Sequence, residues 1–213
     1  MWKKHALTFL LLWGNSSLFS YAGEEISPLP PSGVILDHGE HLLCGKGYDG
    51  QIQLHDGSQF KVLPDDIEKV VEEWDYYDRL TFSPNPHYLG GSDVYVINLT
   101  KDDFIHADYW IGPQRDKEDL YTTFVHHIDP SYGELSLINK NAKTPTETQW
   151  QVQKEDWEYL EYWNKGDAIV IGINNKGILG SSYDYILVNY DKLDVANQVR
   201  VLPKPTALEK EKN

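Results

Sequence analysis

The sequence is poor in cysteine, methionine and basic residues, and it has no long hydrophobic run beyond its first segment. It contains one cysteine and one methionine, and its 19 lysines and arginines face 33 aspartates and glutamates. A single cysteine, Cys44, cannot form an intrachain disulfide, so we expect it to be a small buried residue or a thiol that pairs with another chain. The net charge of -14 disfavours nucleic acid and anionic lipid as partners.

Motifs that would indicate a reaction or a cofactor are missing as well. We find no phosphate-binding glycine loop, no cysteine pair for zinc and no calcium loop. The segment 37–41 offers histidine and carboxylate groups, but its spacing suits a solvated turn better than a metal site. His126 and His127 are neighbours in a predicted strand and should therefore face opposite sides. We predict no metal, no cofactor and no catalytic residue, and whether the protein is an enzyme stays open.

The first segment is typical of a secretory signal peptide. Two lysines precede an apolar run (6–13), and a small residue, Ala22, ends the segment. We predict a signal peptide over 1–22, with cleavage between Ala22 and Gly23. The expected location is the periplasm, the cell envelope or the medium, with no membrane span after cleavage.

The remainder of the chain repeats itself. Four stretches recur in the same order, and the last three recur at separations of 89 to 91 residues: 50–54 with 133–137, 59–62 with 149–152, 74–82 with 163–171, and 96–103 with 187–194. Chance can supply one such match, whereas four in register indicate a tandem duplication.

Each copy combines short strands with one short helix. Alternating or continuous apolar runs predict five or six strands per copy, and the Asp56-Gly57 pair predicts a hairpin between the first two runs of copy one. Because closing a sheet removes its exposed edges, we predict a mainly β protein made of two small barrel-like units. The predicted organisation is an extended lead-in (23–32), β unit 1 (33–111), a linker (112–119), β unit 2 (120–201) and a disordered tail (202–213).

Repeated polar and aromatic residues have a structural interpretation. Trp74 and Trp163 end the helices and are expected to fill the two barrels. Asp78 and Asp167 follow at a turn, where a carboxylate can accept backbone N–H groups. The alternative is an acid–base pair formed by the two aspartates across the units.

Two short motifs resemble those of a group of uncharacterised secreted bacterial proteins. They are the Asp-Gly-Ser-x-aromatic hairpin at 56–60 and the Trp-x-x-Gly-Asp turn at 163–167. The resemblance extends over both copies, although copy one has Tyr77 where copy two has Gly166, and copy two lacks the Asp-Gly-Ser turn. Since that group has no established activity, the resemblance implies an architecture and not a function.

Aromatic residues supply the candidate binding site. A helix carrying Trp157, Tyr159 and Tyr162 cannot bury all three on one stripe, and copy one has Tyr76 and Tyr77 at the matching turn. Exposed rings beside carboxylates could stack on a sugar or grip a peptide. We therefore predict a non-enzymatic binding or scaffold protein whose partner is a protein or a glycan. The alternative is an envelope- or host-directed hydrolase with a site between the two units, and the sequence leaves the oligomeric state open.

Overall fold

The computed structural model describes residues 34–85, 91–115, 121–140, 145–174, 182–192 and 198–204. The predicted signal peptide, its cleavage site at Ala22 and Gly23, and the lead-in lie outside the described residues, as do parts of the linker and of the tail. In the described part of the chain, no helix is long and apolar enough to cross a membrane.

Twelve strands and one α-helix are formed by the described residues. The first half contains β1 (His41–Lys46), β2 (Gln51–Leu54), β3 (Gln59–Val62), α1 (Ile67–Glu73), β4 (Arg79–Pro84), β5 (Val94–Asn98) and β6 (Asp103–Ile111). The second half contains β7 (Thr123–Asp129), β8 (Glu134–Asn139), β9 (Thr146–Val152), a 3-10 helix (Lys154–Tyr162), β10 (Ala168–Ile173), β11 (Tyr185–Asn189) and β12 (Gln198–Lys204). The last strand thus extends three residues into the segment predicted as a tail.

The strands close into two antiparallel barrels of the same topology. The order is β1-β2-β3-β6-β5-β4 in the first barrel and β7-β8-β9-β12-β11-β10 in the second. The first strand of each copy closes its barrel by pairing with the fourth. The prediction of a mainly β protein with two tandem barrels is therefore confirmed.

A tryptophan at the end of each helix fills the interior of its barrel. Trp74 follows α1 and Trp163 follows the 3-10 helix, and both side chains are buried in their barrel's apolar core. Asp66 precedes α1 but makes no side-chain capping bond to the helix. The Asp66 carboxylate instead accepts hydrogen bonds from His106 on β6.

The turn before the fourth strand is held by the same polar contacts in both barrels. Asp78 accepts the side-chain amide of Asn98 at 2.7 Å and a backbone N–H three residues earlier at 3.0 Å. Asp167 does the same with Asn189 at 2.8 Å and with a backbone N–H at 2.8 Å. Both aspartates are buried in their own barrel, so the structural interpretation of these residues holds and their carboxylates are already engaged.

The two barrels pack directly against each other. Val170, Ile186 and Val188 point outward from the second barrel and are part of the first barrel's hydrophobic core. Gly172 lies against Phe82, where an added Cβ would stand 2.6 Å from the Phe82 ring, so only glycine allows this approach. The core of the second barrel, by contrast, is built from its own residues.

Candidate functional site

A groove runs over the outside of the first barrel, beside the end of β10. Its volume is about 530 Å³. Strand pairing aligns Ser83 with Tyr95 and Tyr95 with His106, and it aligns Ile97 with Phe104, so these side chains share the outer face of β4, β5 and β6. The groove is lined by Ser83, Tyr95, Ile97, Asp102, Asp103, Phe104, His106, Ile173 and Asn174.

Three rings form the floor of this groove. The centroids of Tyr95 and Phe104 are 5.5 Å apart with an interplanar angle of 87°, and those of Tyr95 and His106 are 5.0 Å apart at 59°. Phe104 and His106 are 5.8 Å apart at 68°. Phe104 is 50% exposed although it is a large apolar side chain on a strand. The rings therefore meet edge to face and enclose a corner, and they do not lie in one flat platform.

His106 is held in place by a carboxylate beneath it. One oxygen of Asp66 accepts both the backbone N–H of His106 at 2.8 Å and its ring Nδ1 at 2.9 Å. Because an ionised carboxylate only accepts, Nδ1 carries the proton in the neutral ring, and Nε2 is the acceptor. The second barrel repeats this anchor with Asp156, which accepts the backbone N–H and the guanidinium of Arg200. Both barrels thus have an aspartate at this position, whereas its partner is His106 in the first barrel and Arg200 in the second.

The rim of the groove is acidic. Asp103 pairs with Lys69 at 3.2 Å. Although burial opposes the ionisation of Asp103, the backbone N–H of Phe104 and the Lys69 ammonium hold its pKa below the usual value. The neighbouring Asp102 has a backbone φ of 55° and makes no ion pair among the described residues. Asp102 therefore offers a free carboxylate to anything in the groove.

A buried hydroxyl lies at the foot of the groove. Ser83 is 3% exposed, and its Oγ has no hydrogen-bond partner among the described residues. A buried hydroxyl without a partner costs about 1 to 3 kcal/mol. Ser83 does not form a catalytic triad with the Asp66–His106 pair, because Tyr95 stands on the strand between them. Two strand spacings separate Ser83 from His106 by roughly 10 Å.

The aromatic residues proposed from the sequence lie elsewhere. Trp157 donates its Nε1 proton to the Val152 carbonyl at 2.9 Å, and with Tyr159 it packs against the core of the second barrel. Tyr162 is 51% exposed, whereas Tyr76 and Tyr77 are half-buried. None of the five lines the groove, and their role in binding stays a prediction.

The two adjacent histidines of the second barrel contradict the expectation from strand alternation. The pairing of β7 with β8 shifts between Val125 and His127, so His126 is the extra residue of a β-bulge. As a result, His126 and His127 both line a second, polar pocket of about 380 Å³. Within the described ranges, no group of three or more histidine, cysteine, aspartate or glutamate side chains could hold a metal ion.

The cysteine occupies the equivalent bulge of the first barrel. The pairing of β1 with β2 shifts between Leu43 and Gly45, with Cys44 between them. Burial and the charge of Asp56 raise the pKa of the Cys44 thiol to about 11. The thiolate form is therefore scarce at neutral pH, and this cysteine is a poor nucleophile.

We compared the chain with protein-family models, curated proteins and solved structures, and no match was found. The geometry of the groove is therefore the basis for a functional assignment.

Proposed function

We propose that this protein is a non-enzymatic binding protein, exported from the cytoplasm, and that the groove on the first barrel is its ligand site. The observation that carries the proposal is the exposed ring corner of Tyr95, Phe104 and His106 on a rigid strand scaffold. Export rests on the signal-like sequence of residues 1–22.

The groove has the general properties of a recognition site. Its volume lies within the range of ligand pockets, roughly 300 to 1,000 Å³, and its apolar floor carries only a few polar groups. Its rings stand on adjacent strands of a closed barrel, so a ligand would not have to order them. Preformed sites of this kind lose less affinity to conformational entropy than flexible loops do.

The test compares two equally exposed aromatic residues. Phe104 lies in the groove, while Tyr162 was proposed from the sequence and lies on the second barrel; their exposed fractions are 50% and 51%. We expect Phe104→Ala to weaken binding of a ligand identified from glycan and peptide arrays by about tenfold, the weight of a well-packed aromatic contact. Tyr162→Ala should bind like the wild type. The reverse pattern would place the site on the 3-10 helix and refute the groove.

A hydrolase remains the second candidate, because the Asp66–His106 pair holds the histidine as a general base is held. Since Ser83 is out of reach, such an enzyme would have to activate water directly. The presence of the same aspartate anchor beside Arg200 favours a structural role instead. Hydrolysis of generic ester or glycoside substrates that is lost in His106→Gln, with an unchanged melting temperature, would make this the better assignment.

A further inference from the structure

The residues that line the groove include two carboxylates and no lysine or arginine. Asp102 and Asp103 form the rim of the groove. Asp93 and Asp108 continue the same outer face: the Asp108 carboxylate accepts the backbone N–H of Asp93, and the Asp93 carboxylate accepts that of Tyr109. Three lysines lie near these carboxylates: Lys69 is bonded to Asp103, Lys101 is bonded to Asp75, and Lys61 is the strand partner of Asp108. The local charge has the same sign as the net charge of -14, which attracts cations from a distance.

The rim itself shows how this surface holds an ammonium group. The Nζ of Lys69 lies 5.8 Å from the centre of the Phe104 ring, 3.2 Å from an oxygen of Asp103 and 3.2 Å from the Phe104 carbonyl. A ring, a carboxylate and a carbonyl thus bind one cation here. The lining of the groove contains two of these groups again, the rings of Tyr95 and Phe104 and the carboxylate of Asp102.

The rings of the groove can offer their faces to a cation. Tyr95, Phe104 and His106 meet at 87°, 68° and 59°, so their faces point in different directions. An aromatic face attracts a positive charge, whereas an aromatic edge does not. A cation in the groove would therefore lie against a face of Tyr95 or Phe104.

From these observations we infer that the groove binds a lysine or arginine side chain of a basic polypeptide. This inference rests on the proposed binding function and names the class of its ligand. The cation would lie against Tyr95 and Phe104, and Asp102 would pair with it. The acidic surface beyond the groove would attract the neighbouring basic residues of the same partner.

The experiment measures binding of labelled tetralysine and tetra-arginine peptides to the chain from Gly23 onward, with a neutral chito-oligosaccharide as the competing class. Three variants are compared: Phe104→Leu keeps an apolar side chain without a π face, Asp102→Asn removes one charge in a backbone conformation that asparagine tolerates, and Asp49→Asn removes an exposed charge in the β1–β2 turn. Melting temperatures verify that each variant is folded.

We expect Phe104→Leu to weaken peptide binding by about two- to fivefold and Asp102→Asn by about threefold, and Asp49→Asn to leave it unchanged. Binding should also weaken as salt is added. Equal peptide affinity in all four proteins would overturn the inference, since attraction would then come from the net charge alone. Oligosaccharide binding that depends on Phe104 would overturn it too, while leaving the proposed binding function in place. If neither class binds and Phe104→Ala changes no array signal, the proposed function fails as well.

Discussion

His55 makes the stability of the barrel junction depend on pH. Its Nδ1 accepts the backbone N–H of Leu42 at 3.2 Å, and its ring lies 5.4 Å from that of His41 and 5.1 Å from that of Tyr121. Burial lowers the pKa of His55 from 6.5 to about 4; Asp56 opposes this shift and His41 adds to it. Protonation of Nδ1 would also forfeit the bond to Leu42, because two N–H groups would then face each other.

The sign and size of the effect follow from the difference between the folded and unfolded chains. Below about pH 6.5 the unfolded chain takes up a proton at His55, whereas the folded chain stays neutral until about pH 4. Each unit of difference is worth about 1.4 kcal/mol, so up to about 3 kcal/mol of the free energy of unfolding is lost as the pH falls through this window. Above pH 6.5 the group contributes no pH dependence.

The assay is urea unfolding of the wild type and of His55→Asn between pH 7 and about pH 4. The asparagine oxygen can still accept the Leu42 N–H, so the local bond is retained. We expect the variant to lose about 2 to 3 kcal/mol less than the wild type over this range. His127→Asn, on the exposed side of the second barrel, should follow the wild-type curve. Parallel curves for the wild type and His55→Asn would refute a part-buried His55 that stays neutral in the folded chain.

Three further predictions concern the duplicated architecture. Asp78→Ala and Asp167→Ala each leave a buried asparagine amide and a backbone N–H without an acceptor, so each should lower the free energy of unfolding by about 2 to 4 kcal/mol; clearly unequal urea midpoints would contradict the equivalence of the two networks. Gly166→Ala should lower the free energy of unfolding by about 1 kcal/mol in urea unfolding, because Gly166 has a φ of 94°. An added Cβ meets no atom within 4 Å, so the loss comes from the backbone conformation and not from a clash. Residues 121–204 alone should melt cooperatively by circular dichroism and residues 34–115 should not, because the first core includes side chains of the second barrel; a cooperative melt of the latter would refute this asymmetry.

The fold could be predicted because the same sequence pattern occurs twice, and each copy supports the assignment of strands and turns in the other. Asp78 and Asn98 recur as Asp167 and Asn189, and the structure shows each pair bonded within its barrel. The residue just before the matched aspartate indicates the backbone conformation of the turn. Tyr77 and Gly166 both adopt a left-handed backbone, with φ of 69° and 94°, so the glycine of copy two indicates the conformation of the tyrosine in copy one.

The candidate site could not be predicted in the same way. Helical periodicity predicted that Trp157, Tyr159 and Tyr162 could not all be buried on one stripe. The structure forms a 3-10 helix there, in which Trp157 and Tyr159 both pack against the barrel core and Tyr162 is exposed. Strand alternation does place Tyr95 and Phe104 on outer faces, but which outer face remains open depends on how the two barrels pack.

The packing of the barrels separates the two copies at the strands that form the groove. The outer face of β10 and β11 in the second barrel carries Val170, Ile186 and Val188, and this face is covered by the first barrel. On the equivalent face of the first barrel, Thr81 and Ser83 of β4 are buried, whereas Tyr95 and Ile97 of β5 line the groove. The matching positions on β11 and β5 therefore form an apolar contact in one copy and line the proposed ligand groove in the other. Because the contact in the second copy also completes the core of the first, the groove stands on a barrel that depends on its twin, and ligand binding should stabilise the whole chain and not the first half alone.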